Sequence, residues 1–263
     1  MSKYLIENLF GVEGWNIAWY GVIIACGMLL GLALAVYRAK KEDIHSDVLY
    51  DFLLIAAPIS ILCARAYYVI FEWESYADNP VKVFAIWEGG LVIYGGVIGG
   101  VITALVFCRI RKLPFLQFAD LLLPSLVLGQ SIGRWGNFMN QEAYGNLVTN
   151  PNLQFFPYAV YIEASGNWHQ ATFFYESFSN AILLVVMLLC YPRFKRQGYL
   201  IPMYMIGYGV IRFAVEGLRT DSLYLLPGLR VSQLLSVILI VTGVIVVALL
   251  HHGTDRGCRK AIY

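Results

Sequence analysis

Three arginines lie within, or directly against, long apolar runs of this 263-residue chain: Arg65, Arg134 and Arg212. A charge inside an apolar span is expensive, so it normally faces protein or water and marks a functional group. Arginine suits a phosphate, because its planar fork donates two parallel hydrogen bonds. The phosphate found at membrane depth belongs to a lipid headgroup, so the arginines point to an anionic-phospholipid site. The competing reading is structural. Arg212 and Glu216 stand four residues apart and could simply pair on one helix.

Other patterns carry less. Gly129-Gln130-Ser131-Ile132-Gly133 matches G-x-S-x-G, but that elbow needs a strand–turn–helix setting. Here it ends an apolar run, so Ser131 is expected to pack rather than attack. His45, His169, His251 and His252 lack metal-site spacing, and a general-base role for His169 has nothing to support it. Cys26, Cys63, Cys108 and Cys190 sit in apolar runs and Cys258 in a basic tail, without C-x-x-C spacing. They read as small apolar fillers.

The elements that must position these groups are helices in a bilayer. The chain is 59% hydrophobic and 14% charged, and its mean hydropathy is +0.64. Soluble domains run near 45–50% apolar and about 25% charged, so an ordinary soluble enzyme and a disordered chain are excluded. A net charge of +2 argues against a nucleic-acid partner. Spanning-length apolar runs read Ile17–Tyr37, Val48–Phe71, Leu91–Cys108, Phe115–Ile132, Thr172–Tyr191, Leu200–Gly217 and Val231–Leu250. The start of the chain does not read as a cleavable signal peptide. Lys3 is its only early base, and Glu7 and Glu13 interrupt it.

Basic residues orient these spans. Arg38, Lys40 and Lys41 follow span one, and Arg109, Arg111 and Lys112 follow span three. Arg193, Lys195 and Arg196 follow span five, and Arg256, Arg259 and Lys260 follow span seven. These mark the cytoplasm. The fold expected is an all-α polytopic membrane protein with seven transmembrane helices, N-terminus outside and C-terminus cytoplasmic. It forms one integral domain, 1–263, with a small extracytoplasmic cap at about 133–171 and a short strand near Tyr158–Glu163. Gly95-x-x-x-Gly99, Gly96-x-x-x-Gly100 and Gly27-x-x-x-Gly31 allow close helix contact.

With this topology each polar group has a depth. Arg65 lies roughly 9 Å below the outer end of span two. Arg134, Arg212, Glu216, Glu176, Tyr20 and Tyr94 also fall in the outer leaflet. Asp51 and Asp120 lie near inner ends, as interfacial caps. Three arginines converging with few acids would make an electropositive pocket open to the outer leaflet.

The segment Gly133-Arg134-Trp135-Gly136-Asn137-Phe138-Met139-Asn140-Gln141-Glu142-Ala143-Tyr144-Gly145 resembles the signature of bacterial prolipoprotein diacylglyceryl transferases. Further blocks follow in that family's order along nearly the whole chain: Trp19-Tyr20-Gly21, Ala64-Arg65-Ala66-Tyr67-Tyr68, Trp87-Glu88-Gly89-Gly90 with Tyr94-Gly95-Gly96, His169 to Glu176, and Gly207 to Arg219. The resemblance implies transfer of a diacylglyceryl group from phosphatidylglycerol to the lipobox cysteine of a prolipoprotein signal peptide. A thioether forms, glycerol 1-phosphate leaves, and no metal or cofactor is implied.

The resemblance also implies roles. Arg134 and Arg212 are the best phosphate ligands, with Arg65 and Arg219 in support. Asn137 and Asn140 donate to headgroup oxygens, and Glu142 and Glu216 orient arginines. Tyr20 and Tyr208 position lipid or thiol, and Gly145 permits a tight turn. Two positions depart from the pattern. Tyr94 stands where many relatives carry a histidine proposed as the base, and a phenol with pKa near 10 is a poor base at neutral pH. Tyr94 is therefore read as a hydrogen-bond donor to the headgroup. Ala171 replaces a proline, which bears on loop stiffness rather than chemistry.

Overall fold

The structure, a computed structural model, describes residues 3–12, 14–42, 44–77, 79–193, 197–220, 224–226 and 229–259. Glu13, Lys195, Arg196 and Lys260 lie outside the described residues, as do the side chains of His252, Arg256, Cys258 and Arg259. The described residues form seven α-helices: α1 (Trp19–Ala39), α2 (Ser46–Phe71), α3 (Ile93–Arg111), α4 (Phe115–Asn140), α5 (Thr172–Cys190), α6 (Leu200–Glu216) and α7 (Val231–Arg259). All but α6 are long and apolar enough to cross a membrane. At 17 residues, α6 sits at the lower limit for spanning. The chain is an integral, multi-pass membrane protein.

Most helix ends fall within two or three residues of the apolar runs; α4 and α7 run further. The apolar run of α4 ends near Ile132, yet the helix continues to Asn140. Tertiary partners carry the extension: Trp135 Nε1 donates to Ser177 Oγ at 3.1 Å, and the Phe138 ring stacks on Phe173 at 4.9 Å. Arg134, Asn137 and Asn140 therefore ride on a helix rather than in a loop.

The chain divides into two compact units, Val36–Phe118 and Met1–Ala35 with Ala119–Tyr263. In the first, α2 packs on α3. A Cβ at Gly95 would lie 2.4 Å from the Cys63 carbonyl oxygen, and one at Gly99 2.8 Å from the Cys63 side chain. Phe52, Phe107 and Phe118 close one end of the unit. Asp51, expected as a cap, pairs with Arg111. The α2–α3 connection is drawn in by Arg65, which is 4% exposed.

In the second unit α1 lies along α4, and α6 contacts both α5 and α7. The core gathers Val127, Leu183, Met187 and Leu200. Asp120 does cap a helix: it accepts the Leu200 N–H at 3.0 Å and the Gly198 N–H, at the start of α6. Of the short strands, β1 (Tyr4–Ile6) pairs with β2 (Ile17–Ala18), and β5 (Tyr224–Leu226) with β6 (Leu229–Arg230). Between α4 and α5, β3 (Ala159–Ile162) and β4 (Asn167–Gln170) form an antiparallel hairpin with Val160 opposite His169. Strand β3 falls inside the stretch expected to be extended. Val160, Ile162, Ala171 and Phe173 make the hairpin's own core, packed by Phe138, Tyr144, Phe174 and Tyr175.

Candidate active site

Three helices of the second unit bring one polar chain together. Arg134 stands near the end of α4, with Asn137 three residues on and so on the same face. Beyond the helix, Gln141 and Ala143 adopt left-handed backbone conformations (φ 53° and 58°). These fold the chain back, so that the Glu142 N–H reaches the Asn137 carbonyl at 3.0 Å. The Glu142 carboxylate then accepts from Asn137 Nδ2 at 2.8 Å and from Asn140 Nδ2 at 3.4 Å. Arg134 Nη1 donates to Asn137 Oδ1 at 3.4 Å.

Glu176, near the start of α5, is the hub. Its Oε1 lies 2.7 Å from Arg134 Nη2, and its Oε2 lies 3.2 Å from Arg212 Nη1. Arg212 Nη2 reaches Glu216 Oε2 at 2.6 Å, one turn along α6. Glu176 and Glu216 are each 2% exposed. Groups so desolvated are costly to bury unless ion pairs and hydrogen bonds meet them, as the arginines do here.

This geometry corrects the expected electropositive pocket. The two arginines meet Glu176 and Glu216, and Glu142 adds a third acid nearby. Each guanidinium has five N–H donors, of which these contacts use those on two nitrogens. A phosphate arriving here shares the arginines with carboxylates that already fix their positions. Glu216 touches an arginine, whereas the hydrogen bonds of Glu142 go to asparagine amides. The sequence places Glu176 in the outer leaflet without assigning it a role. The readable signal is an acid at the mouth of an apolar run; that it faces two arginines is decided by the packing of α4, α5 and α6.

The remaining residues of this unit fall around the chain. Tyr208 lies near Glu176, Arg134 and Arg212, and its ring stacks on Tyr204 at 5.4 Å. Tyr20 opens α1 and lies against α4, where a Cβ at Gly136 would come within 2.8 Å of its ring. Arg219 donates its N–H to the Glu216 carbonyl at 3.3 Å and bridges to Gly145, joining the end of α6 to the cap. Gly145 is needed for close approach rather than for a turn. A Cβ there would meet Gln170 Cβ at 2.8 Å and Thr172 Cγ2 at 2.9 Å. The sharp turn is made by Gln141 and Ala143 instead.

Two other candidates have structural partners. His169 Nδ1 contacts the Gly145 carbonyl and Nε2 the Ser165 hydroxyl, each at 3.0 Å, so both ring nitrogens serve the cap. Ser131 lies inside α4 and donates to the Ser177 carbonyl at 2.8 Å, while Ser177 Oγ returns the bond to the Ser131 carbonyl.

Arg65 and Tyr94 belong to the other unit. Arg65 donates Nε to Val83 O (2.8 Å), Nη2 to Lys82 O (2.7 Å) and Nη1 to Gly89 O (2.7 Å) and Gly90 O (3.3 Å). The rings of Tyr68 and Tyr76 flank its guanidinium. Its fork, expected for a phosphate, is thus engaged in holding the α2–α3 connection. Tyr94 is half-buried in the first turn of α3, 6.5 Å from the Tyr67 ring.

Residues 7–249 match the family profile for prolipoprotein diacylglyceryl transferase. A phosphatidylglycerol–prolipoprotein diacylglyceryl transferase of Bacillus licheniformis is 45% identical over 236 residues, covering 88% of this chain and 87% of the relative. The enzyme of the same name from Finegoldia magna is 46% identical over 237 residues, covering 90% and 92%. That from Limosilactobacillus reuteri is 43% identical over 244 residues, covering 90% and 88%. With matches of this extent, the chain belongs to the prolipoprotein diacylglyceryl transferase family.

Proposed function

We propose that this chain transfers the diacylglyceryl group of phosphatidylglycerol to the lipobox cysteine of a prolipoprotein, the first step of lipoprotein maturation. The observation that carries the mechanism is the Arg134–Glu176–Arg212–Glu216 chain, which fixes two guanidinia from two helices through one carboxylate. The cysteine sulfur attacks the glyceryl carbon that bears the phosphate. A C–S bond forms, and the C–O bond breaks with its electron pair going to the phosphate oxygen. Glycerol 1-phosphate leaves, and the thiol proton passes to water. Arg134 and Arg212 stabilise the charge that grows on the departing oxygen. A free thiol has pKa near 8.5, and nearby cations lower it, so the arginines also favour the thiolate.

Glu176 and Glu216 orient the arginines, while Glu142 orients Asn137 and Asn140 toward headgroup oxygens. Tyr20 and Tyr208 position lipid and thiol. Gly145 and Arg219 hold the cap against α6. Arg65 supports by holding the α2–α3 connection through its hydrogen bonds, and Tyr94, a phenol where many relatives carry a histidine, donates to the headgroup. The chain acts as one domain, 1–263, in the cytoplasmic membrane. It has seven spans, the N-terminus outside and the C-terminus inside, and the cap and site face outward. The alternating basic clusters support this orientation.

The test gives purified protein labelled phosphatidylglycerol and a lipobox peptide, beside a Cys→Ser peptide. Lipidated peptide that depends on the thiol is expected. Lipid movement between leaflets without an adduct would overturn the reading in favour of a flippase.

A further inference from the structure

Asn180 lies one turn inward of Glu176 on the buried face of α5 and is 0% exposed. Neither its side-chain nitrogen nor its side-chain oxygen has a hydrogen-bond partner among the described residues. Buried amides are nearly always partnered, by protein or by ordered water. An apolar side chain would fill this place without the cost of desolvating an amide, so packing alone does not account for it.

The surroundings say where the missing partner sits. Helical side chains tilt toward the N-terminus, so Asn180 leans toward Glu176, whose Cβ is about 5–6 Å away at this spacing. Ser177, between them, is already bonded to Ser131. The preceding residue of α4, Gln130, gives its Nε2 to the Tyr204 hydroxyl at 2.9 Å, but its buried Oε1 has no partner among the described residues. Around the Ser131–Ser177 contact between α4 and α5, then, stand an unmet donor and two unmet acceptors.

We propose that a bound water joins the Asn180 amide to the Glu176 carboxylate, with Gln130 Oε1 as its further acceptor, making Asn180 a positioning residue for the arginine pair. The water accepts from Asn180 Nδ2 and donates to Glu176 and Gln130, a partner number usual for buried water. It holds the Glu176 carboxylate in the one rotamer that spaces Arg134 and Arg212. The inference rests on the transfer reaction proposed above.

The test compares wild type, Asn180→Leu and Asn180→Ser in phosphatidylglycerol proteoliposomes with a fluorescent lipobox peptide. It reads kcat, KM for the peptide and the thermal midpoint. Asn180→Leu is expected to lower kcat about ten- to a hundredfold, the scale of a small misplacement at a reacting centre. Its KM should stay within about twofold and its midpoint should hold or rise, because the Asn180 carbonyl oxygen, which the water leaves without a partner, goes with the amide. Asn180→Ser supplies a hydroxyl donor in place of the amide and leaves room for a second water, so kcat should return to within about fivefold. Asn180→Leu in a Glu176→Gln background should add no further loss. Wild-type kcat in Asn180→Leu overturns the proposal. Equal losses in both variants, with a lowered midpoint, also overturn it and make Asn180 a packing residue. If wild type itself forms no thioether, the transfer reading fails and takes the proposal with it.

Discussion

Glu176 binds an arginine from α4 through one oxygen and an arginine from α6 through the other, while almost wholly removed from solvent. Removing one partner of a buried ion pair leaves charge uncompensated. Glu176→Gln keeps the shape but removes the charge, and should destabilise the protein by about 3 kcal/mol. It should also lower turnover at least tenfold, roughly, because both guanidinia lose their common anchor. Thermal melting and the peptide-lipidation assay check the pair of effects, and a variant with unchanged turnover would remove Glu176 from the mechanism. Tyr94 is the opposite case. A phenol read as a hydrogen-bond donor contributes about 1 kcal/mol, so Tyr94→Phe should keep turnover within about tenfold of wild type. A loss of several orders of magnitude would instead make the hydroxyl a proton-transfer group. Arg134 and Arg212 could be read from sequence, since charges in apolar runs announce themselves. Their acid partners could not be ranked there, because pairing depends on which helices meet.

At the scale of elements, the α2–α3 seam is set by small residues. Two glycine pairs one register apart look equivalent in sequence, but they differ in space. A Cβ at Gly95 would run into the backbone of Cys63 at 2.4 Å, whereas one at Gly96 would sit 3.6 Å from the Ser60 carbonyl, an ordinary contact. Gly95→Ala should therefore cost about 2 kcal/mol of stability by overpacking, and Gly96→Ala should be close to neutral. Melting of the two variants side by side checks this, and equal melting points would refute the seam. The register of the seam, like the eight extra residues of α4 beyond its apolar run, follows from tertiary partners and not from hydropathy. Arg65 belongs at this scale too. Its depth in span two was legible, but its engagement with the carbonyls at 82, 83, 89 and 90 appeared only once the connection was folded back onto it.

For the whole molecule, the basic clusters at the ends of α1, α3 and α5 alternate with the connections that carry the cap. A single cysteine placed at Asn150 in the cap of an otherwise cysteine-free variant should react with an impermeant thiol reagent in intact cells. One placed at Lys112 should react only after the membrane is opened. The reverse pattern would invert the proposed topology. Arg212 and Glu216 both ride on the short α6, so its C-terminal end lies level with the end of α4 and the start of α5, which carry Arg134 and Glu176.

Apolar length, basic clusters and ordered motif blocks are local properties of the chain, so the membrane class, the runs that become helices and the family can be read from the sequence before any fold is known. The sequence also singled out Arg134 and Arg212. Only the tertiary structure decided what those arginines meet. It turned an expected excess of positive charge into a balanced chain through Glu176, gave Arg65 to a loop, and gave His169 and Gly145 to the packing of the cap. The physical reason is that a buried charge or amide is defined by its partners. Those partners come from segments far apart in sequence, which hydropathy can place at one depth but cannot place face to face.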